Sequence, residues 1–207
     1  MSNLLTNHKT IHDSAWLIAP VRRCAFALFR WRGWRLAGAL PDVKKYVIIG
    51  APHTSNWDFP LALGLAFCFQ VKMFWMGKHT LFIGPMGYVM RWLGGIAVNR
   101  AANQNLVAQA IATMRASDEL ILAIPPEGTR SKVRYWKTGF YFIALESQTP
   151  IVLAFLDFKN KVAGFGPTFM PTGDLEKDME TIRAFYAPIE GKYASLTGLA
   201  EVKAKHE

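Results

Sequence analysis

Long apolar runs, cysteine and acidic residues are all scarce in this 207-residue sequence. The longest apolar run, residues 59–69, is too short for a membrane-spanning helix, which needs ~18 or more residues. The two cysteines, Cys24 and Cys68, lack metal-type spacing, so they predict small buried side chains and fit a reducing cytoplasm. Polar and charged residues interrupt the first thirteen positions, and we therefore expect no signal peptide.

Positive charge is what the composition has in excess. Lys and Arg number 24 against 15 Asp and Glu, which gives a net charge of +9. An excess of this size favours an anionic partner, and composition alone leaves open nucleic acid, a membrane surface or a phosphorylated ligand. The length fits one domain with a full hydrophobic core.

The N-terminal part places tryptophan beside arginine. Residues 14–38 contain three tryptophans and five arginines, and Pro20 and Gly33 bracket a short helical piece. One side of that piece carries the apolar residues Ala25, Leu28 and Phe29. Such a segment is typical of an interfacial membrane anchor, but also of a helix that packs its aromatic side chains on the core. We therefore divide the chain into a basic amphipathic segment, residues 1–40, as a candidate membrane-facing element, and a domain over residues 41–207.

Strand-like and helix-like segments alternate through that domain. Apolar runs predict strands that begin near residues 47, 71, 96, 120 and 150, and the 3.6-residue period predicts helices between them and over 173–186. Residues 159–171 are rich in glycine and proline and suit a hairpin or an extended loop. The alternation predicts a single α/β domain with a mixed, mostly parallel sheet flanked by helices, and active groups at the strand ends.

The first of these strand ends carries a histidine and an aspartate. The strand stops near Gly50, a loop follows with His53, and N-cap residue types predict a helix that starts near Asp58. His53 and Asp58 then face each other across one turn. A carboxylate holds an imidazole in one tautomer, so that its second nitrogen can take a proton from a hydroxyl. Because no nucleophile of the chain is placed beside them, the substrate's own hydroxyl would be the attacking group.

Two further strand ends carry groups that can bind anions. Arg100 follows the strand near residue 96, and the sequence Glu127-Gly128-Thr129-Arg130 follows the strand over 120–124. If these ends share one edge of the sheet, the two arginines can clamp a phosphate near His53, since the planar guanidinium binds phosphate through two hydrogen bonds. Gly128 would let the backbone approach a ligand, and Glu127 could hold an arginine in place.

Four short motifs resemble those of the glycerolipid acyltransferases, the lysophosphatidic acid acyltransferase-like family. The motif HTSNWD at 53–58 is similar to the family's His-four-residues-Asp motif, and GIAVNR at 95–100 to its second block. PEGTR at 126–130 is similar to the third block and TPIV at 149–152 to the fourth, in the family's order. Together they are far more specific than any one motif.

This resemblance implies an α/β fold and acyl transfer from a thioester donor to a hydroxyl of a lysophospholipid such as 1-acylglycerol 3-phosphate. By resemblance His53 is the general base and Asp58 its orienting partner. The residues implied in substrate binding are Arg100, Glu127, Gly128, Thr129, Arg130 and Lys78, the last in a Lys-x-x-Leu-x-x-x-Pro-x-Gly run. The donor would be acyl-coenzyme A or acyl carrier protein, with no cofactor or metal. The protein would be cytoplasmic, at the inner face of the cell membrane, with a membrane surface and no nucleic acid among its partners.

Two alternatives come from other classes. A non-enzymatic module could use the basic, tryptophan-rich surface to bind a membrane or nucleic acid, and its function would survive His53→Ala. A metal hydrolase could use His53, Asp58 and His79, although their spacing lacks a metal signature.

Overall fold

The computed structural model describes residues 9–98, 106–198 and 201 of the chain. In this part of the chain the helices are α1 (Ala15–Trp31), α2 (Asp58–Cys68), α3 (Gly84–Trp92), α4 (Leu106–Ala116), α5 (Gly139–Ser147) and α6 (Leu175–Tyr186). The strands are β1 (Arg35–Ala37), β2 (Lys45–Ala51), β3 (Met73–Lys78), β4 (Gly95–Val98), β5 (Leu120–Ile124), β6 (Ile151–Asp157) and β7 (Val162–Phe169). Short 3₁₀ helices cover Ile11–Asp13, His79–Phe82 and Ala194–Leu196.

The strands form one seven-stranded sheet in the order β1-β7-β6-β2-β5-β3-β4. β6, β2, β5, β3 and β4 run parallel, whereas β7 returns antiparallel to β6 and pairs with β1. The carboxyl ends of β2, β5 and β3 therefore meet at one edge of the sheet, which we call the carboxyl edge. The prediction of a single α/β domain with a mixed, mostly parallel sheet is confirmed.

Each face of the sheet is covered by its own set of helices. Side chains alternate along β2, so that Val47 and Ile49 face α4, α5 and α6, and Tyr46 and Ile48 face α1 and α2. Both sets are almost fully buried. Because both faces of the sheet are buried, the sequences of the central strands are continuous apolar runs and do not alternate between apolar and polar residues.

The N-terminal segment differs from its prediction in detail. α1 is one helix of 17 residues that continues through Pro20, since a proline there removes a single backbone hydrogen bond. Ala25 and Phe29 are buried against α2, as the core-packing alternative expects, but Leu28 is half exposed. Residues 35–37 form β1, a strand that the sequence reading missed. The boundary proposed at residue 40 stays a prediction, as does contact with a membrane. Within the described residues, no helix combines the length and apolar character needed to cross a membrane.

Two other predictions change at their boundaries. The strand predicted to begin near residue 71 is β3, which begins at Met73 and runs to Lys78, so Lys78 is the last residue of a strand. The glycine-rich stretch after β6 is a hairpin whose second arm, β7, is eight residues long. The remaining predicted strands and helices are confirmed to within two or three residues.

The docking of α1 on α2 can be tested with two phenylalanines of the same helix. Phe29 is 3% exposed and Phe26 is 42% exposed. We expect Phe29→Ala to lower the free energy of unfolding by about 3 to 5 kcal/mol because it leaves a cavity. Phe26→Ala is the matched control, with a loss below about 1 kcal/mol expected for a surface position. Equal losses in a chemical denaturation experiment would contradict this packing.

Candidate active site

The Asp58 carboxylate organises the loop between β2 and α2. Its Oδ2 accepts hydrogen bonds from the backbone N–H groups of Thr54 and Ser55, both at 2.8 Å. The same oxygen lies 3.1 Å from His53 Nδ1, and Oδ1 accepts from Ser55 Oγ at 2.9 Å. The loop therefore folds around a side chain that begins the next helix, which explains why the histidine and aspartate are five positions apart.

Charge and geometry make His53 and Asp58 one unit. Burial alone would raise the pKa of Asp58, but hydrogen bonds from His53 and from Ser55 outweigh it and hold the pKa below its usual value. The ionised carboxylate needs a donor at His53 Nδ1, which assigns the Nδ1–H tautomer. His53 Nε2 is then the nitrogen available to a substrate, and the half-buried His53 ring lines a cavity.

Glu127 contacts this loop from the neighbouring strand. β5 lies beside β2, and Glu127 Oε2 accepts a hydrogen bond of 2.8 Å from the backbone N–H of His53. The glutamate is buried, and its Oε1 has no hydrogen-bond partner among the described residues. Burial raises the pKa of Glu127 to about 7, with a further increase from the charge of Asp58. Among the described residues no arginine pairs with Glu127, so its contact is with the backbone that carries the histidine.

Residues 128–130 turn the chain toward the cavity. Gly128 has φ of +66°, a left-handed conformation that favours glycine, and the side chain of Lys137 lies against it. Thr129 and Arg130 are exposed and line the cavity together with Gly128. The exposed side chain of Lys78 lines the same cavity from the end of β3.

The cavity has a volume of about 750 Å³ and two chemically different parts. Its polar part holds the His53–Asp58 pair with Lys78 and Arg130. Its apolar part continues between the sheet and α2, and is lined by Ile48, Leu65, Met73, Leu156 and Phe165. A volume of this size is typical of sites for small organic ligands, and an apolar depth with a polar mouth fits an amphipathic one.

Most of the predicted site residues are brought together. His53, Asp58, Lys78, Gly128, Thr129 and Arg130 all line the cavity. Glu127 contacts His53 but does not line the cavity, and Arg100 lies outside the described residues. Their roles in substrate binding stay predictions. His79 begins a 3₁₀ helix, and the described part of the chain holds no group of three His, Cys, Asp or Glu side chains suited to a metal.

The sequence reading missed the apolar lining of the cavity. Met86 and Met90 of α3 and Phe165 of β7 reach it from distant parts of the chain. It also missed Tyr193, whose backbone N–H donates to Thr54 Oγ1 at 3.2 Å and so contacts the loop from the C-terminal part. No local sequence pattern marks these residues, because only the strand order brings them near β2.

Comparison with known proteins defines the class. The family model described as Acyltransferase matches residues 36–154, which is more than half of the chain. The chain therefore belongs to the acyltransferase family, and the prediction of this family from the sequence is confirmed.

A solved structure is similar in fold to this chain. The crystal structure of the 1-acyl-sn-glycerophosphate (LPA) acyltransferase, PlsC, from Thermotoga maritima superposes with a TM-score of 0.57 at 18% sequence identity. The match covers 81% of this chain and 76% of that one. At this identity the likeness shows the fold alone. No curated protein matches the chain.

The contact between His53 and Asp58 predicts that the losses of kcat caused by mutating each residue do not add in the double variant. His53→Ala removes the candidate base, and Asp58→Asn keeps the shape of the carboxylate but removes its charge. We expect each to lower kcat about a hundredfold or more, and the double variant to fall little below His53→Ala, since Asp58 acts through His53. Initial rates with all four proteins measure this, and losses that multiply in the double variant would refute a shared role.

The buried Glu127 predicts a pH-dependent stability. Its pKa is about 7 in the folded protein against 4.5 ordinarily, so the folded state holds the proton more tightly. Stability from this group is present at low pH and is lost as pH rises from about 4.5 through 7. One unit of pKa difference corresponds to about 1.4 kcal/mol in the free energy of unfolding. Between pH 5 and 8 the free energy of unfolding of Glu127→Gln should therefore rise by up to ~3 kcal/mol relative to that of the wild type.

Denaturant titrations at several pH values measure this difference. The exposed Glu180→Gln on α6 is the control and should follow the wild type at every pH. A Glu127→Gln curve parallel to the wild type would show that Glu127 does not titrate in this range.

Proposed function

We propose that this acyltransferase moves a fatty acyl chain from a thioester donor to a hydroxyl of a lysophospholipid, such as 1-acylglycerol 3-phosphate. The observation that carries the proposal is the contact of 3.1 Å between His53 Nδ1 and Asp58 Oδ2 at the wall of a largely apolar cavity. The acyltransferase family supplies the reaction class. The donor is acyl-coenzyme A or acyl carrier protein, and the reaction needs no cofactor.

The chemistry follows from the free nitrogen of His53. Nε2 takes the proton of the acceptor hydroxyl as its oxygen attacks the thioester carbonyl. Asp58 stabilises the imidazolium that forms. When the tetrahedral intermediate collapses, the carbon–sulfur bond breaks and the imidazolium returns its proton to the leaving thiolate. An ester and a free thiol result, and no acyl-enzyme is required.

The two parts of the cavity fit the two parts of such substrates. The apolar part beside Leu65 and Phe165 suits an acyl chain, which would leave water on entering it. Lys78 and Arg130 suit a phosphate at the polar mouth, because charge-assisted hydrogen bonds to phosphate are the stronger ones. Arg100 remains a candidate second phosphate ligand from the sequence.

The proposed place of action is the inner face of the cell membrane, reached by peripheral association from the cytoplasm. Supporting it are exposed aromatic residues on α1, Trp16 and Trp31, with the Arg32 guanidinium over the Trp31 ring at 4.8 Å. Tryptophan and arginine together are typical of the bilayer interface. The alternative of a non-enzymatic protein that binds membrane or nucleic acid through this basic surface requires no role for His53.

Product analysis tests the proposal. Purified protein is mixed with acyl-coenzyme A or acyl carrier protein and 1-acylglycerol 3-phosphate, and the lipids are identified by mass spectrometry. We expect diacylglycerol 3-phosphate from the wild type and from His79→Ala, and none above background from His53→Ala. Product from His53→Ala at the wild-type rate would contradict the mechanism. Free fatty acid from the wild type in place of diacylglycerol 3-phosphate, lost in His79→Ala, would favour the metal-hydrolase alternative.

The cationic mouth predicts a change in the Michaelis constant for the acceptor. A charge-assisted contact is worth about 1.5 to 3 kcal/mol, so Arg130→Ala should lower kcat/KM for the acceptor by about tenfold to a hundredfold. Arg130→Lys should retain only part of the wild-type kcat/KM, since lysine keeps the positive charge but cannot form the bidentate hydrogen bonds of a guanidinium group. Arg183→Ala on α6 is the control. An effect confined to the KM of the donor would place the phosphates of the coenzyme at Arg130.

A further inference from the structure

The segment around α3 exposes an unusual amount of apolar surface. Six large apolar side chains there are at least a third exposed, and we call them the α3 patch: Leu81, Ile83, Met86, Tyr88, Val89 and Trp92. Within the nine-residue helix only Gly87 is buried. Large patches of exposed apolar side chains are typical of sites that bind another protein, a membrane or a ligand.

The exposure does not come from a loosely attached helix. Gly87 packs so closely that a Cβ there would meet the Phe82 carbonyl oxygen at 2.2 Å. The ring of Phe82 is buried, with the Arg91 guanidinium 5.5 Å above it. Behind it, Trp75 Nε1 donates to the carbonyl of Leu93 at 2.9 Å. The helix is fixed from its inner side while its apolar side chains point outward.

The α3 patch is continuous with the mouth of the cavity. Leu81 and Met86 belong to the patch and also line the cavity that holds His53. The 3₁₀ helix that precedes α3 follows the carboxyl end of β3, so the beginning of the patch lies at the carboxyl edge of the sheet. An amphipathic molecule on this surface would therefore lie beside the mouth of the cavity that holds His53.

The charge around the patch is positive. Residues 59–117 contain no acidic side chain, and Lys78 and Arg130 are the exposed charged residues of the cavity wall. Of the acids near the end of β6, Asp157 accepts from backbone N–H groups and Glu190 pairs with Lys159. A cationic rim beside apolar and aromatic side chains is complementary to an anionic lipid surface.

The far end of the carboxyl edge carries a second exposed tryptophan. α1 ends there, because Lys161, in the turn after β6, donates from Nζ to the carbonyl of Arg32 at 3.2 Å. Trp31, 75% exposed, precedes that contact. Along one edge the molecule therefore presents Trp31, then the site at the ends of β2 and β5, and then the α3 patch.

We propose that the carboxyl edge docks on an anionic lipid bilayer, with the α3 patch inserted at the level of the headgroups and the cavity mouth facing the lipid. Docking rests on the patch and its charge alone. The added role, delivery of a lipid to His53 from the bilayer plane, rests on the proposed function. The prediction for α1 is changed accordingly, since its end and not its whole length would touch the membrane.

Two residues of the α3 patch allow a change that keeps the helix. Ile83 is the N-cap of α3 and Met86 the third helical residue, so Ile83→Ser with Met86→Gln forms a capping box without altering charge. The matched control is Val43→Ser with Met170→Gln. These residues are 48% and 52% exposed, against 68% and 59% for Ile83 and Met86, and they lie at the opposite edge of the sheet.

The test is cosedimentation of the full chain with vesicles of phosphatidylcholine mixed with phosphatidylglycerol. We expect the α3 double variant to bind at least about tenfold more weakly, since two apolar side chains no longer leave water, and the control to bind as the wild type does. His53→Ala should bind like the wild type, so this result is independent of any failure of the acyl transfer chemistry. Equal binding by both double variants would overturn the proposal. So would a dimer of the wild type, seen by ultracentrifugation, that only the α3 variant loses.

A fluorescent probe tests the orientation directly. In a Cys24→Ser background, where the remaining Cys68 is buried, Ile83→Cys and Met170→Cys are each labelled with an environment-sensitive dye. We expect a blue shift with these vesicles at position 83 and none at 170. A shift at 170 alone, or none at either position, would contradict docking through the carboxyl edge.

Discussion

The Asp58 carboxylate accepts four hydrogen bonds, and the geometry of the candidate site depends on them. Two come from the backbone of Thr54 and Ser55, one from Ser55 Oγ and one from His53 Nδ1. A buried carboxylate is stable only when its oxygens are paired in this way. The same contacts shape the loop, keep the carboxylate ionised and orient the imidazole. A single residue at the first position of α2 thereby links the end of β2 to the chemistry of the site.

Glu127 adds a second support that comes from the sheet. Because β5 is paired with β2, the glutamate after β5 reaches the backbone N–H of His53. Burial raises the pKa of Glu127 toward neutrality, whereas the hydrogen bond from the His53 backbone N–H favours the ionised form. The loop of His53 is thus held from α2 by Asp58, from β5 by Glu127 and from the C-terminal part by Tyr193. A histidine whose loop is held from three sides loses little freedom when a ligand binds.

Much of this arrangement was predictable from local sequence. The run that ends at Gly50 predicted β2, the N-cap types predicted the start of α2, and the spacing of His53 and Asp58 predicted their contact. The parallel strands placed Arg130 and Lys78 near that pair, as expected of the carboxyl edge. These features are short in range or follow from the βαβ connection, so periodicity and turn chemistry were sufficient.

The features that escaped prediction depend on tertiary pairing or on exposure. β1 is three residues long and stable only beside β7, so its own sequence carries little signal. The contact of Glu127 with the backbone of His53 was not predicted, because it depends on which strands are neighbours. The exposure of the α3 patch was not predicted, because an apolar pattern does not state which side of a helix meets solvent. The position of Lys78 at the end of β3 was also not predicted, because β3 begins two residues later than its apolar run.

The tautomer of His53 tests the central claim most directly. Long-range nitrogen–proton correlation spectra distinguish an imidazole protonated at Nδ1 from one protonated at Nε2, and the signal of His53 is identified by its loss in His53→Gln. We expect the neutral imidazole of the wild type to be the Nδ1–H tautomer, with Nε2 unprotonated, and a shift toward the Nε2–H form in Asp58→Asn. A wild-type His53 that carries its proton on Nε2 would contradict the account, because the nitrogen that faces the substrate could not then accept a proton.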